Sequence, residues 1–164
     1  MSNERDDATM SFRFEPLRWS DARAISRWHY DGIYAFYDQD LAPMLTLVLF
    51  RGVMRMLGLE GFVVLDDSGR RIGIFTFIQR GNSVEIGLAM RPDLTGRGLG
   101  LDFVKLGMDF ARARYAPTRF DLDVATFNER ARRVYERAGF RPLETFKRRT
   151  RQGQMEFLAM YCPA

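Results

Sequence analysis

The sequence predicts a single α/β (α+β) domain built on a mixed, mainly antiparallel central sheet with helices on both faces. Three observations carry this. Residues 61–66, 71–78 and 83–90 read as successive strands joined by the turn residues Asp67-Ser68-Gly69 and Arg80-Gly81-Asn82. The third strand runs through Pro92 into Gly96, Gly98 and Gly100, after which Phe103, Leu106 and Phe110 recur at helical spacing. A further strand, Phe120 to Val124, precedes a second amphipathic helix over 128–140. At 164 residues, 46% hydrophobic and 28% charged, the chain is long enough for one well-filled core.

In chain order, residues 1–10 are polar and charged and read as a flexible tail, leaving 11–162 as the domain. They hold no apolar signal core, so a cytoplasmic protein is expected. Phe12 to Leu17 alternates as a first strand ended by Pro16, and Ser20 is the candidate N-cap of a first helix. Residues 28–40 follow, with Trp28, Tyr30, Tyr34, Phe36 and Tyr37 among Asp31, Asp38 and Asp40. Aromatic faces with carboxylates suit a cationic amine, and they equally suit a packed connector with solvated acids. Residues 44–59 read as one apolar helix, broken by Arg51 and Arg55 and far short of the roughly 20 residues that span a bilayer. After the strand at 120–124, residues 143–149 and 154–161 close the chain as a hairpin around Arg151-Gln152-Gly153.

The strand at 83–90 is the centre of the pattern. Val84, Ile86, Leu88 and Met90 form one face, while Glu85, Gly87 and Ala89 leave the other nearly bare. Small residues in a strand mark a close approach by a ligand or another chain. The glycines beyond it can turn backbone N–H groups toward an anion, with a helix dipole behind them and the Arg97 charge among them. A tight turn without a ligand selects glycine too. No Lys-Ser or Lys-Thr follows, so this is not a nucleoside-triphosphate loop, and the every-second-residue spacing is not a dinucleotide fingerprint.

Met90 to Gly100 resembles motif A of the GNAT family of N-acetyltransferases, with Thr95 where the family carries Arg or Gln. Asn128, Ala131, Tyr135, Gly139 and Phe140 match its motif B, in the expected order. The resemblance implies a GNAT-like fold and transfer of an acetyl group from acetyl-CoA to a primary amine, on a small molecule or a protein N-terminus, by direct attack in a ternary complex. It assigns the cosubstrate to Leu88, Ala89, Met90, Thr95, Gly96, Arg97, Gly98, Leu99, Gly100 and Asn128. It places one wall of the acceptor site at Trp28, Tyr30, Tyr34 and Asp38. Glu85 corresponds in position to the base of some members, with Asp123 in reserve, and Tyr135 to the acid that protonates the leaving thiolate. His29, the single histidine, reads as a residue of the aromatic loop rather than a base.

The remaining composition narrows the classes. One cysteine, Cys162, allows no internal disulfide, and one histidine with one cysteine makes no zinc set, so no metal is expected. Net charge +4 and pI near 9.6 suit anionic ligands. No basic cluster interleaves with stacking aromatics, so neither nucleic acid nor membrane is expected as a partner. The apolar 44–59 segment and free strand edges suit a homodimer. A domain that binds acyl-CoA or a partner without transfer is the alternative, and the presence of both Tyr135 and Asn128 favours the enzyme.

Overall fold

The computed structural model describes residues 12–164; the expected tail over 1–10 lies outside them. Strands β1 (Arg13–Pro16), β2 (Leu59–Leu65), β3 (Arg71–Arg80), β4 (Ser83–Met90), β5 (Arg119–Ala125), β6 (Arg141–Thr150) and β7 (Gly153–Pro163) form one sheet in the order β1-β2-β3-β4-β5-β7-β6. Every neighbouring pair is antiparallel except β4 with β5. The helices are α1 (Trp19–Ile25), α2 (Leu41–Leu49), α3 (Arg51–Met56), α4 (Gly100–Tyr115) and α5 (Glu129–Arg137), with 3-10 turns at Gly32–Tyr37 and Pro92–Leu94.

Strand alternation splits the core between the two sheet faces. Phe62, Phe75, Phe77, Val84, Ile86, Phe120 and Leu122 pack with Phe103, Val104 and Met108 of α4. Val63, Ile74 and Ala89 point the other way, against Ala22, Ile25 and Met44 of α1 and α2. Phe75 and Phe77 are fully buried, and each contributes about 1.5–3 kcal/mol from the apolar surface it removes from water.

Two glycines let α4 settle close to the sheet. A Cβ on Gly73 would stand 2.2 Å from Phe103 Cζ, and one on Gly107 2.1 Å from Phe75 Cε1. The rings occupy the space those side chains would need, which fixes the N-terminus of α4 beside the end of β4.

Three boundaries differ from expectation. The first helix starts at Trp19, where the Arg18 N–H donates to Asp21 Oδ2 at 2.9 Å, so the capping carboxylate comes from inside the helix and not from Ser20. The apolar segment is two helices: Phe50 N–H closes α2 on Thr46 O at 3.0 Å, and Phe50 O accepts the Met54 N–H of α3 at 2.8 Å. Gly58, at φ +78°, then turns the chain so that β2 begins at Leu59. The Asp67-Ser68-Gly69 hairpin is as expected, and Asp66 Oδ1 organises it by accepting from Ser68 N–H, Ser68 Oγ and Arg70 N–H at 3.0, 2.7 and 2.9 Å.

Candidate active site

The parallel seam between β4 and β5 is only three residues long, Ser83 to Glu85 against Arg119 to Asp121. Beyond it the strands diverge. Backbone direction along β4 follows from its two ends. Asn82 O accepts from Thr118 N–H at 2.8 Å on the β5 side, and Arg91 N–H donates to Ile72 O at 2.8 Å on the β3 side. With a period of two, Leu88 and Met90 direct their N–H and C=O groups toward β5, where no strand meets them. One of those groups is used: Tyr30 Oη donates to Met90 O at 2.7 Å.

At the open end stands the glycine loop. The 3-10 turn at Pro92–Leu94 is held by Arg91 Nε on Asp93 Oδ1 at 2.6 Å, and Thr95 Oγ1 donates to Pro92 O at 2.7 Å. Gly96 (φ +73°) and Gly98 (φ +80°) take left-handed backbone that a side chain would strain. A Cβ on Gly98 would meet open space, so the loop's outer face is bare backbone leading into the first turn of α4. That end of a 16-residue helix attracts anions. Arg97, Arg130 and Arg137 surround it without an ion pair to any described residue, whereas many arginines elsewhere are paired with carboxylates. The donor set and the bare backbone fit a diphosphate.

The floor comes from α5. Asn128, 8% exposed, caps that helix by accepting the Ala131 N–H on Oδ1 at 3.1 Å. One face of α5 carries Arg130, Ala131, Val134 and Arg137 toward a cavity of about 390 Å³, with Tyr135 beside them. Burial pushes the Tyr135 phenol well above its ordinary value, and the neighbouring Tyr37 adds to it. Tyr37 Oη accepts the Ala125 N–H at 3.3 Å, and burial raises its pKa although the Asn128 side chain opposes. Tyr30 is pushed up to about 12, by burial first and Asp38 second.

The cavity brings together Leu88, Ala89, Met90, Thr95, Gly96, Gly98, Gly100, Asn128 and Tyr135 with Tyr30 and Tyr34. Others among the expected residues stand off its wall. Arg97 and Leu99 belong to the loop but do not line the cavity, and Trp28 packs on the α1–α2 side of the core. Asp38 accepts Tyr30 N–H at 2.8 Å and pairs with His29 Nδ1 at 2.9 Å, so it shapes the aromatic segment from behind. Glu85 accepts from Arg80 Nε at 2.9 Å, and Asp123 pairs with Arg148.

Tyr37, Arg130 and Arg137 are cavity residues that the sequence reading did not assign to a site. The signal for the arginines was present, since 130, 134 and 137 share one helical face with the apolar Val134 between them.

No helix among the described residues is long and apolar enough to cross a membrane, and no three metal-ligating side chains cluster there. A family model described as an acetyltransferase (GNAT) domain matches residues 11–141. Among solved structures, the spermidine N-acetyltransferase of Vibrio cholerae in complex with CoA and spermine superposes with a TM-score of 0.75 at 19% identity, covering 93% of this chain and 95% of that one. A dodecameric form of that enzyme, in an intermediate state, gives 0.71 at 18% identity over 93% of both chains. At such identity the likeness is one of fold. A search of curated proteins found no match.

Proposed function

The chain belongs to the acetyltransferase (GNAT) family, and from that premise we propose how its residues divide the work of moving an acetyl group from acetyl-CoA to an amine. The observation that carries this is the divergence of β4 from β5 beside the glycine loop, with a cavity lined by the end of β4, the loop, α4 and α5. In this reading the N–H groups of Gly96 to Gly100, the α4 dipole and Arg97 hold the diphosphate, and Asn128 meets the arm behind it. The unpaired N–H of Leu88 or Met90 receives the thioester oxygen as charge develops on it. One such donor contributes about 10²–10³ in rate.

Direct attack forms the C–N bond and breaks the C–S bond. One proton leaves the amine and one reaches the departing sulfur. Tyr135 suits the second task, because burial keeps its phenol protonated through neutral pH. Among the described residues no carboxylate lines the cavity, so a base must work from outside it. We assign that task to Glu85, relayed through water, with Arg80 holding its side chain in place. Tyr30 and Tyr34 form the acceptor wall, with Trp28 and Asp38 supporting it. We place the enzyme in the cytoplasm. Leu49, Phe50, Val53 and Met56, exposed together on α2 and α3, suit self-association as a homodimer.

Calorimetric titration with acetyl-CoA tests the reading, run beside Gly98→Glu, which puts a carboxylate on the phosphate cradle. Saturable binding that the variant loses is expected, and with it a thiol-release signal in the presence of amines. A folded wild type that binds no acetyl-CoA would overturn it.

A further inference from the structure

The acceptor end of the cavity rests on the reading above, and its walls speak to the kind of amine it takes. A polyamine has to place a second ammonium group near the reacting nitrogen, and such groups are held by carboxylates or by open aromatic faces. Among the described residues, no carboxylate lines this cavity. The carboxylates of the surrounding elements are engaged elsewhere: Asp38 by His29 and Tyr30 N–H, Asp40 by Arg151, Asp123 by Arg148 and Glu85 by Arg80. Asp31 and Asp102 are exposed and do not line the cavity. The face of Tyr34 already carries a cation, the Arg130 guanidinium, 4.5 Å from the ring centroid. Arg130 reaches across toward the loop, its Nη1 3.9 Å from where a Gly96 Cβ would be. What remains around the end of β4 is apolar or phenolic: Leu88, Met90, Leu94, Tyr30 and Tyr37.

We infer that the acceptor is a single amine on an apolar body, and that Arg130, held over Tyr34, excludes amines carrying a second cationic centre. The arginine acts as a specificity-determining residue by occupying the aromatic platform and repelling charge from it. Its position at the first turn of α5, adjacent to the Asn128 cap, keeps it there in the absence of any carboxylate partner among the described residues.

The experiment measures acetyl-CoA binding by calorimetry, then kcat/KM for phenethylamine and for spermidine by thiol release, in wild type and in Arg130→Glu. The wild type is expected to favour phenethylamine at least tenfold. Charge reversal is expected to move the ratio of the two toward spermidine by tenfold or more, and because a ratio is read, partial unfolding of the variant does not mimic it. A wild-type preference for spermidine, or acetyl-CoA binding without transfer to phenethylamine, overturns the inference while leaving the cosubstrate site standing. An unchanged ratio in Arg130→Glu overturns the role of the arginine. Failure of the wild type to bind acetyl-CoA at all removes the underlying reading instead.

Discussion

Tyr135→Phe isolates the proposed acid with little structural disturbance. The ring stays, so its edge contact with Phe140, at 6.1 Å between centroids, is kept. The hydroxyl makes no hydrogen bond to a described residue, so removing it leaves no buried partner stranded, and the melting temperature is expected to shift by less than about 2 °C. A lost general acid costs about 10²–10⁴ in rate, or about 2.7–5.4 kcal/mol of transition-state stabilisation at 1.36 kcal/mol per tenfold. The assay is steady-state thiol release over pH 6–10.5. Because burial raises the phenol above its usual value near 10, the donating form persists past that pH, and wild-type kcat is expected to hold through pH 10. KM for acetyl-CoA is expected to move little while kcat falls. Activity within threefold of wild type would refute the assignment. So would a wild-type decline below pH 9 that Tyr135→Phe abolishes, since it would show a phenol that burial has not raised.

Glu85→Gln is expected to lower kcat/KM by about 10²–10⁴ near neutrality, with recovery as pH rises and the amine sheds its own proton; a flat ratio across pH would remove Glu85 from the mechanism. Asn128→Ala deletes the 3.1 Å cap on Ala131 N–H and is expected to cost about 1 kcal/mol, read by scanning calorimetry as a fall of about 2–4 °C. No change in melting temperature would show that the cap contributes nothing. Asp66 is held at about 2, by the Ser68 hydroxyl first and the Arg70 N–H next. A depressed carboxylate contributes stability that is full above its unfolded value near 4 and is lost as pH falls toward 2. The gap in urea midpoint between wild type and Asp66→Asn is therefore expected to be constant above pH 5 and to close between pH 4 and 2. A gap that persists at pH 2 would contradict this.

The parts that were legible in the sequence are those where one residue type admits few alternatives. The alternation from Val84 to Met90 and the left-handed glycines at 96 and 98 specify a strand, a bare turn and a helix start together. Asn128 was legible through the motif B spacing it shares with Ala131, Tyr135, Gly139 and Phe140. Where several solutions satisfy the same pattern, reading by pattern failed. Residues 44–50 are apolar except for Thr46, so periodicity could not reveal the joint at Phe50. Arg18 is an unpromising cap until Asp21 is seen folding back to it. Asp38 read as an acceptor-site carboxylate, but its partners lie within its own segment, and Arg130 drew no assignment until the fold brought Tyr34 beneath it. Only the fold brings Arg130 and Tyr34 together, across nearly a hundred residues of chain, and that pairing leaves no trace in the sequence around either one.

The three-residue seam has one more consequence. Past Glu85 the sheet is an unfinished ladder, with amide groups at Leu88 and Met90 facing a gap. A molecule lying in that gap supplies hydrogen-bond partners that β5 withholds, and it does so only in the folded state. By mass action, a ligand at a hundred times its dissociation constant adds about 2.7 kcal/mol to stability. Resistance to proteolysis then tracks ligand supply, and a cell depleted of the cosubstrate is one in which this protein opens more often and survives less long.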